Sequence, residues 1–197
     1  DLKQIVLHLG NGASASAVVN GHAVDTSMGL TPLEGLVMGT RTGDIDPAAV
    51  FHLSRVAGMS VEEIDTLFNK KSGLKGLVGE NDMRVVRDLA QTGDPAAKLA
   101  LEVYVHRLKK YIGSYTAIMG GVDAITFTAG VGENSPVLRA EVCEGMHCLG
   151  IELDLEANAS QGGGERLIST PDSGVAVFVI PTNEELEISR QAVSLLG

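Results

Sequence analysis

Two short apolar runs, each delivered into a glycine turn, constrain the fold of this chain more than any other feature. Residues 4-QIVLHL-9 are apolar and β-branched and run into 10-GNGAS-14, and 124-AITFTAG-130 repeats the pattern far downstream. A short apolar run bounded by turn residues reads as a buried strand. After the first run, 15-ASAVVNGHAVDTS-27 carries Asn20-Gly21, the dipeptide best suited to a two-residue hairpin. Three antiparallel strands therefore open the chain.

Helical signals take over after Pro47. The segment 47-PAAVFHLSRVAG-58 has apolar residues at helical spacing and a terminal glycine. Ser60 is placed to cap a second helix, with Glu63 at the capping-box position. The glycine-rich stretch 72-SGLKGLVGEND-82 reads as loop. Asp82 then caps a helix to about Leu89, and Asp94-Pro95 starts the longest helix. In that helix Leu101, Tyr104, Leu108, Ile112, Tyr115 and Met119 form one stripe, ended by Gly120-Gly121. The last third alternates: the strand 124-AITFTAG-130 leading into its glycine turn, a helix from about Pro136 to Met146, strand 175-VAVFVI-180, and an amphipathic helix over 183–196 with acids in its first turn. Three strands, helices, strand, helix, strand, helix is the order of a ribonuclease H-like α/β domain. Such a domain is a mixed sheet flanked by helices on both faces. The whole of 1–197 reads as one domain with a helical insertion.

Composition narrows the partners. The chain has 197 residues, 44% of them hydrophobic, enough for one sizeable core. A net charge of −10 argues against a nucleic-acid partner, which needs a basic face. It does not argue against a nucleotide, which backbone N–H groups and one or two cations can hold. No apolar run is long enough to span a membrane. Cys143 and Cys148 fit neither a redox pair nor a zinc knuckle, and read as reduced thiols of a cytoplasmic protein. The chain opens at Asp1 and enters a strand at once, which reads as a piece of a longer protein.

Five stretches have chemical potential, and each has a plain alternative. The glycines of 8-HLGNGAS-14 let a backbone approach an anion, or simply make a tight hairpin. The stretch 128-TAGVGEN-134 presents a helix N-terminus to phosphate, or is an ordinary strand–turn–helix corner. In 182-TNEEL-186, Asn183 caps a helix while a carboxylate near phosphate could hold Mg²⁺, and spacing does not separate Glu184 from Glu185. In 38-MGTRTGDIDPAA-49, Arg41 offers a permanently charged planar fork to a phosphoryl group, or pairs with Asp44 or Asp46. The fifth, 82-DMR-84, lines a base pocket or merely caps a helix.

In this order, 8-HLGNGAS-14, 25-DTSMGLTPLEGLVMGTRTGDIDP-47, 127-FTAGVGENS-135 and 181-PTNEELEI-188 resemble the C-terminal half of the acetate kinase family, across nearly the whole chain. That resemblance implies membership of the acetate and sugar kinase, Hsp70 and actin superfamily, in which two ribonuclease H-like domains close over a cleft. It implies reversible transfer of the γ-phosphoryl of ATP to acetate, giving acetyl phosphate and ADP. It also implies a requirement for Mg²⁺ or Mn²⁺ and a homodimer formed largely through this half. By position, His8, Leu9, Gly10, Asn11 and Gly12 would sit at the nucleotide phosphates. Asp82, Met83 and Arg84 would line the adenosine pocket, and Gly130, Val131, Gly132, Glu133 and Asn134 would complete the nucleotide site. Arg41 would stabilise the transition state, and Glu184 would help bind the metal. The family's N-terminal domain has no counterpart in these residues, so the fragment alone is expected to be inactive. Smaller departures are Thr42 and 162-GGG-164. A propionate or other short-chain carboxylate kinase, or a non-catalytic actin/Hsp70-like nucleotide module, are the alternatives.

Overall fold

The architecture comes from a computed structural model that describes residues 2–160 and 162–196. β1 (Lys3–Leu9) lies inside a six-stranded sheet. β2 (Ala13–Val19) and β3 (His22–Thr26) extend it on one side as an antiparallel meander. On the other side stands β4 (Ala124–Thr128), parallel to β1. Beyond it comes β6 (Ala176–Val179), parallel to β4, and then a two-residue β5 (Arg166–Leu167) antiparallel to β6. The order β3-β2-β1-β4-β6-β5 is the mixed sheet that the strand and helix succession predicts. The hairpin forms at Asn20-Gly21, where both residues take the left-handed backbone (φ 52° and 79°) that such a turn requires.

One face of the sheet makes the core. Register sets Ile5, Leu7 and Leu9 opposite Ala17, Ala15 and Ala13, with Ile125 and Phe127 beside Ile5 and Leu7. All are fully buried. α5 (Pro95–Met119) lies over this face, and every residue of its predicted stripe is buried. Each large side chain so buried contributes about 1.5–3 kcal/mol. Asp94 caps the helix by accepting from the Ala97 amide, and Gly120 ends it in the left-handed region. The opposite face, with Val6, His8, Ser16 and Phe178, is half-buried.

The insertion holds α1 (Ala48–Ala57), α2 (Val61–Lys70) and α4 (Met83–Gln91). Ser60 and Glu63 form the predicted capping box. α1 forms, but none of its residues is buried; Phe51 and Val56 are exposed. The stretch expected as loop at 72–82 is partly helical: α3 spans Gly73–Val78. Its glycines oppose a helix locally, and tertiary bonds override them: the Leu74 and Lys75 amides donate to the carbonyls of Met38 and Gly39, both at 2.9 Å. α7 (Pro136–Cys143) stops before Met146, and a 3₁₀ turn follows at His147–Leu149. α8 (Leu155–Ala159) and β5 are too short for periodicity to reveal. α9 (Glu184–Leu196) forms as expected, yet all its described side chains are exposed, including Ile188, Val193 and Leu195. Among the described residues no helix is long and apolar enough to cross a membrane.

Candidate functional site

The five stretches converge at one end of the sheet. β1 and β4 are parallel neighbours, with His8 opposite Thr128, so their C-terminal ends and glycine turns lie side by side. A Cβ placed on Gly132 would lie 3.7 Å from that of Leu9, and one on Gly10 would lie 4.0 Å from that of Ala129. The first turn is closed by the Gly10 amide donating to the Gly12 carbonyl at 3.0 Å. The second is not an open turn. α6 (Ala129–Asn134) begins directly after β4, and Asn134 donates back to the Gly130 carbonyl at 2.8 Å. Arg139 lies beneath it, 1% exposed, with Nη1 donating to the carbonyls of Gly132 and Glu133 at 2.8 Å. Val131 is half-buried against the core.

The abrupt entry into α6 bends the backbone at Ala129 to φ 64°, a region that costs an L-residue about 1–2 kcal/mol. Ala129→Gly is therefore expected to raise stability by about 0.5–1 kcal/mol, read from urea unfolding midpoints. No gain would mean that residue 129 carries no strain.

The third stretch joins through its hydrogen bonds. The Thr182 amide donates to Glu133 Oε1 at 3.1 Å, and the Thr182 and Thr128 hydroxyls share a 2.7 Å bond. Asn183 accepts from the Leu186 amide at 3.2 Å, the capping role expected of it. Glu184, one residue on, is exposed in the first turn of α9 with Glu185 and Glu187. Among the described residues no three His, Cys, Asp or Glu side chains cluster as a metal site. The exposed Glu184 carboxylate still has the chemistry of a ligand for Mg²⁺, which keeps waters and takes most ligands from substrate phosphates.

The fourth stretch resolves the question of Arg41. Neither proposed partner pairs with it. Asp44 is occupied: it accepts from the Gly35 amide at 2.9 Å and from the Tyr111 hydroxyl at 3.0 Å, and pairs with Arg107 at 3.3 Å. Burial and the Asp44 carboxylate push the Tyr111 phenol up to about 12, so it stays a donor. Asp46 accepts from the Ala48 amide at the start of α1. Among the described residues Arg41 forms no ion pair, and the one hydrogen bond of its guanidinium runs to Met38 Sδ at 3.8 Å. Its Nη1 would stand 3.3 Å from a Cβ on Gly12, so the bare glycine gives the guanidinium room. The loop beneath is rigid. The Gly39 amide donates to the Asn11 carbonyl, the Thr42 amide to the Phe68 carbonyl, and the Ser72 amide to the Thr40 carbonyl.

The fifth stretch keeps its capping role. Asp82 accepts from the Arg84 amide and pairs with its guanidinium at 2.6 Å, which holds the Asp82 carboxyl down at about 2. Met83 is buried, whereas Arg84 is exposed. The stretch is linked to the first turn, because Asn81 Nδ2 donates to Asn11 Oδ1 at 3.1 Å.

A cleft of about 510 Å³ opens on the Arg41 side of the first turn, lined by Asn11, Gly12, Thr40, Arg41, Asn69 and Lys70 among others. A groove of about 600 Å³ between α4, α5 and α7 is larger, but touches none of the five stretches. Its Arg87 is neutralised by Glu141 at 2.6 Å. An unpaired cation beside glycine backbone makes the smaller cleft the candidate site. Asp65, Asn69 and Lys70, which also line the cleft, lie outside all five stretches. A basic pair ending a helix reads as complementing the helix dipole, so nothing in 69-NKK-71 distinguishes a cleft residue.

A sequence model of the acetokinase family matches residues 1–190. The chain belongs to the acetokinase family. Its relatives include the acetate kinase of Leifsonia xyli subsp. xyli, 64% identical across the whole chain, of which the chain covers 50%. The crystal structure of Porphyromonas gingivalis acetate kinase superposes with a TM-score of 0.95 at 45% identity, covering all of this chain and 49% of that one. A propionate kinase from Francisella tularensis subsp. tularensis superposes with a TM-score of 0.89 at 47% identity, covering 95% of this chain and 48% of that one. The chain thus spans about half the length of the acetokinases it matches. The ribonuclease H-like fold read from the element order is the acetokinase fold.

Proposed function

We propose that this chain is the nucleotide-binding half of a two-domain acetate kinase, which transfers the γ-phosphoryl of ATP to acetate and back. The observation that carries the reading is the Arg41 guanidinium, unpaired on a rigid loop and facing a cleft beside the 10–12 turn. Phosphoryl transfer needs positioning and charge stabilisation more than covalent help from the protein. Arg41 meets the charge that spreads over the equatorial oxygens of the transferring group, and the loop holds it there before substrate arrives. Residues 8–12 bind the nucleotide phosphates, 82–84 line the adenosine pocket, and 130–134 complete the nucleotide site. Glu184 helps hold Mg²⁺, which when bound supplies further charge neutralisation at the phosphate oxygens. The acceptor pocket is completed by a second domain, N-terminal in the whole protein, which also covers the exposed apolar side of α9. The whole protein works as a cytoplasmic homodimer.

The propionate kinase similarity supports a second reading, a kinase for a three-carbon acid. One methylene changes binding in an apolar pocket by only about 1–3 kcal/mol, so kcat/KM for the two acids in the full-length protein separates the readings. For the chain by itself, calorimetry is expected to register Mg·ADP binding while acetyl phosphate formation stays at background. Absence of binding would overturn the nucleotide reading. Turnover like that of an intact kinase would overturn the need for a second domain.

A further inference from the structure

The cleft contains a second cation that none of the five stretches includes. Lys70 ends α2 and lines the cleft together with Asn11, Gly12 and Arg41. It is exposed and forms no ion pair among the described residues. Asp65 lines the same cleft but does not neutralise it: the Asp65 carboxylate accepts from Asn69 Nδ2 at 3.0 Å and is not within ion-pair distance of Lys70.

The position of Lys70 relative to Arg41 is built into the fold. α2 is capped at its start and held by buried Ile64 and Phe68. Its last turn is bonded to the arginine loop, Thr40 Oγ1 donating to the Asn69 carbonyl at 3.0 Å and the Thr42 amide to the Phe68 carbonyl at 3.1 Å. Two cations are thus held on one wall with a glycine turn between them and α6. α6 meets this turn through Gly132 at Leu9 and Ala129 at Gly10, whereas Arg41 meets it at Gly12. The cleft that Arg41 and Lys70 share opens on the Gly12 side of the turn, and its lining includes none of 130–134. An anion over these two cations, beside the turn assigned to the nucleotide phosphates, is the transferring phosphoryl group or its carboxylate acceptor.

We propose that Lys70 is a binding residue for the small acyl phosphate or carboxylate anion, acting beside Arg41. The inference rests on the kinase reading above. The two side chains divide the work by their chemistry. Arg41 presents a fixed planar fork to the reacting group, whereas the ammonium of Lys70 is a point charge on a flexible stem that follows an anion entering or leaving.

The test uses the full-length protein and the reverse reaction, varying acetyl phosphate and ADP separately. Lys70→Met is expected to raise KM for acetyl phosphate by about 10–100-fold, the scale of one lost charge-assisted hydrogen bond, and to leave KM for ADP within about twofold. Lys70→Arg is expected to restore most of the loss, and the wild-type to Met difference is expected to shrink at high salt. A KM for acetyl phosphate unchanged in Lys70→Met overturns the inference while leaving the kinase reading intact. Equal rises for both substrates also overturn it, because they mark a structural role. No phosphoryl transfer by the wild-type full-length protein would overturn the kinase reading itself.

Discussion

Arg41→Ala in the full-length protein is expected to lower kcat by about 10³-fold while leaving the affinity for Mg·ADP within about twofold. The asymmetry follows from where the guanidinium stands. It faces the cleft, and among the described residues its only hydrogen bond is a weak one to Met38 sulfur. Removing it therefore breaks no ion pair and leaves no buried partner unsatisfied, so the fold has little to lose. Its loop is held by backbone bonds, such as Gly39 to Asn11 and Thr42 to Phe68, that alanine preserves. What disappears is a charge preorganised for the moment of transfer. Steady-state kinetics and calorimetry read the two quantities separately. Parallel loss of turnover and ADP binding would assign Arg41 a structural role and favour a nucleotide switch over a kinase.

The second large effect is steric. Gly73→Ala is expected to destabilise the chain by about 2–4 kcal/mol, whereas Gly79→Ala, six residues on, costs about 1 kcal/mol. Both glycines have left-handed backbone, with φ 59° and 84°, so the conformational penalty is alike. The surroundings differ. A Cβ on Gly73 would lie 2.1 Å from the Met38 carbonyl oxygen and 2.7 Å from that of Arg41, whereas a Cβ on Gly79 meets nothing within 4 Å. Backbone carbonyls cannot swing aside as a flexible side chain can, so Gly73→Ala must push the arginine loop away. Turnover of the full-length Gly73→Ala protein is expected to fall with its stability, and that of Gly79→Ala to stay near wild type. Urea midpoints for the two variants decide the matter, and equal losses would show that the contact at Gly73 relaxes freely.

Several elements were legible because their causes are local. Asn20-Gly21 carries its own turn, Ser60 and Glu63 cap their own helix, and the stripe from Leu101 to Met119 needs only the helical period. α3 and α6 were not legible. Gly73 and Gly76 oppose a helix, and α3 exists because Met38 and Gly39 accept its amides. α6 starts at a left-handed alanine, and Arg139 holds the carbonyls of its Gly132 and Glu133. Local propensity pointed the wrong way in both, and long-range hydrogen bonds decided.

The same division holds at the site. The amino-acid sequence by itself determined that two buried strands run into glycine-containing segments, that Arg41 sits in a loop among aspartates, and that the blocks follow the acetate kinase order. It could not determine whether Arg41 is paired. That depended on Arg107 and Tyr111, more than sixty residues away on α5, which engage Asp44 and leave Arg41 without an ion pair. Nor could it single out Lys70, whose place in the cleft follows from how the end of α2 is bonded to Thr40 and Thr42. Spacing encodes interactions a few residues apart, whereas a cation's partner is chosen by whatever the fold brings within about 4 Å of it.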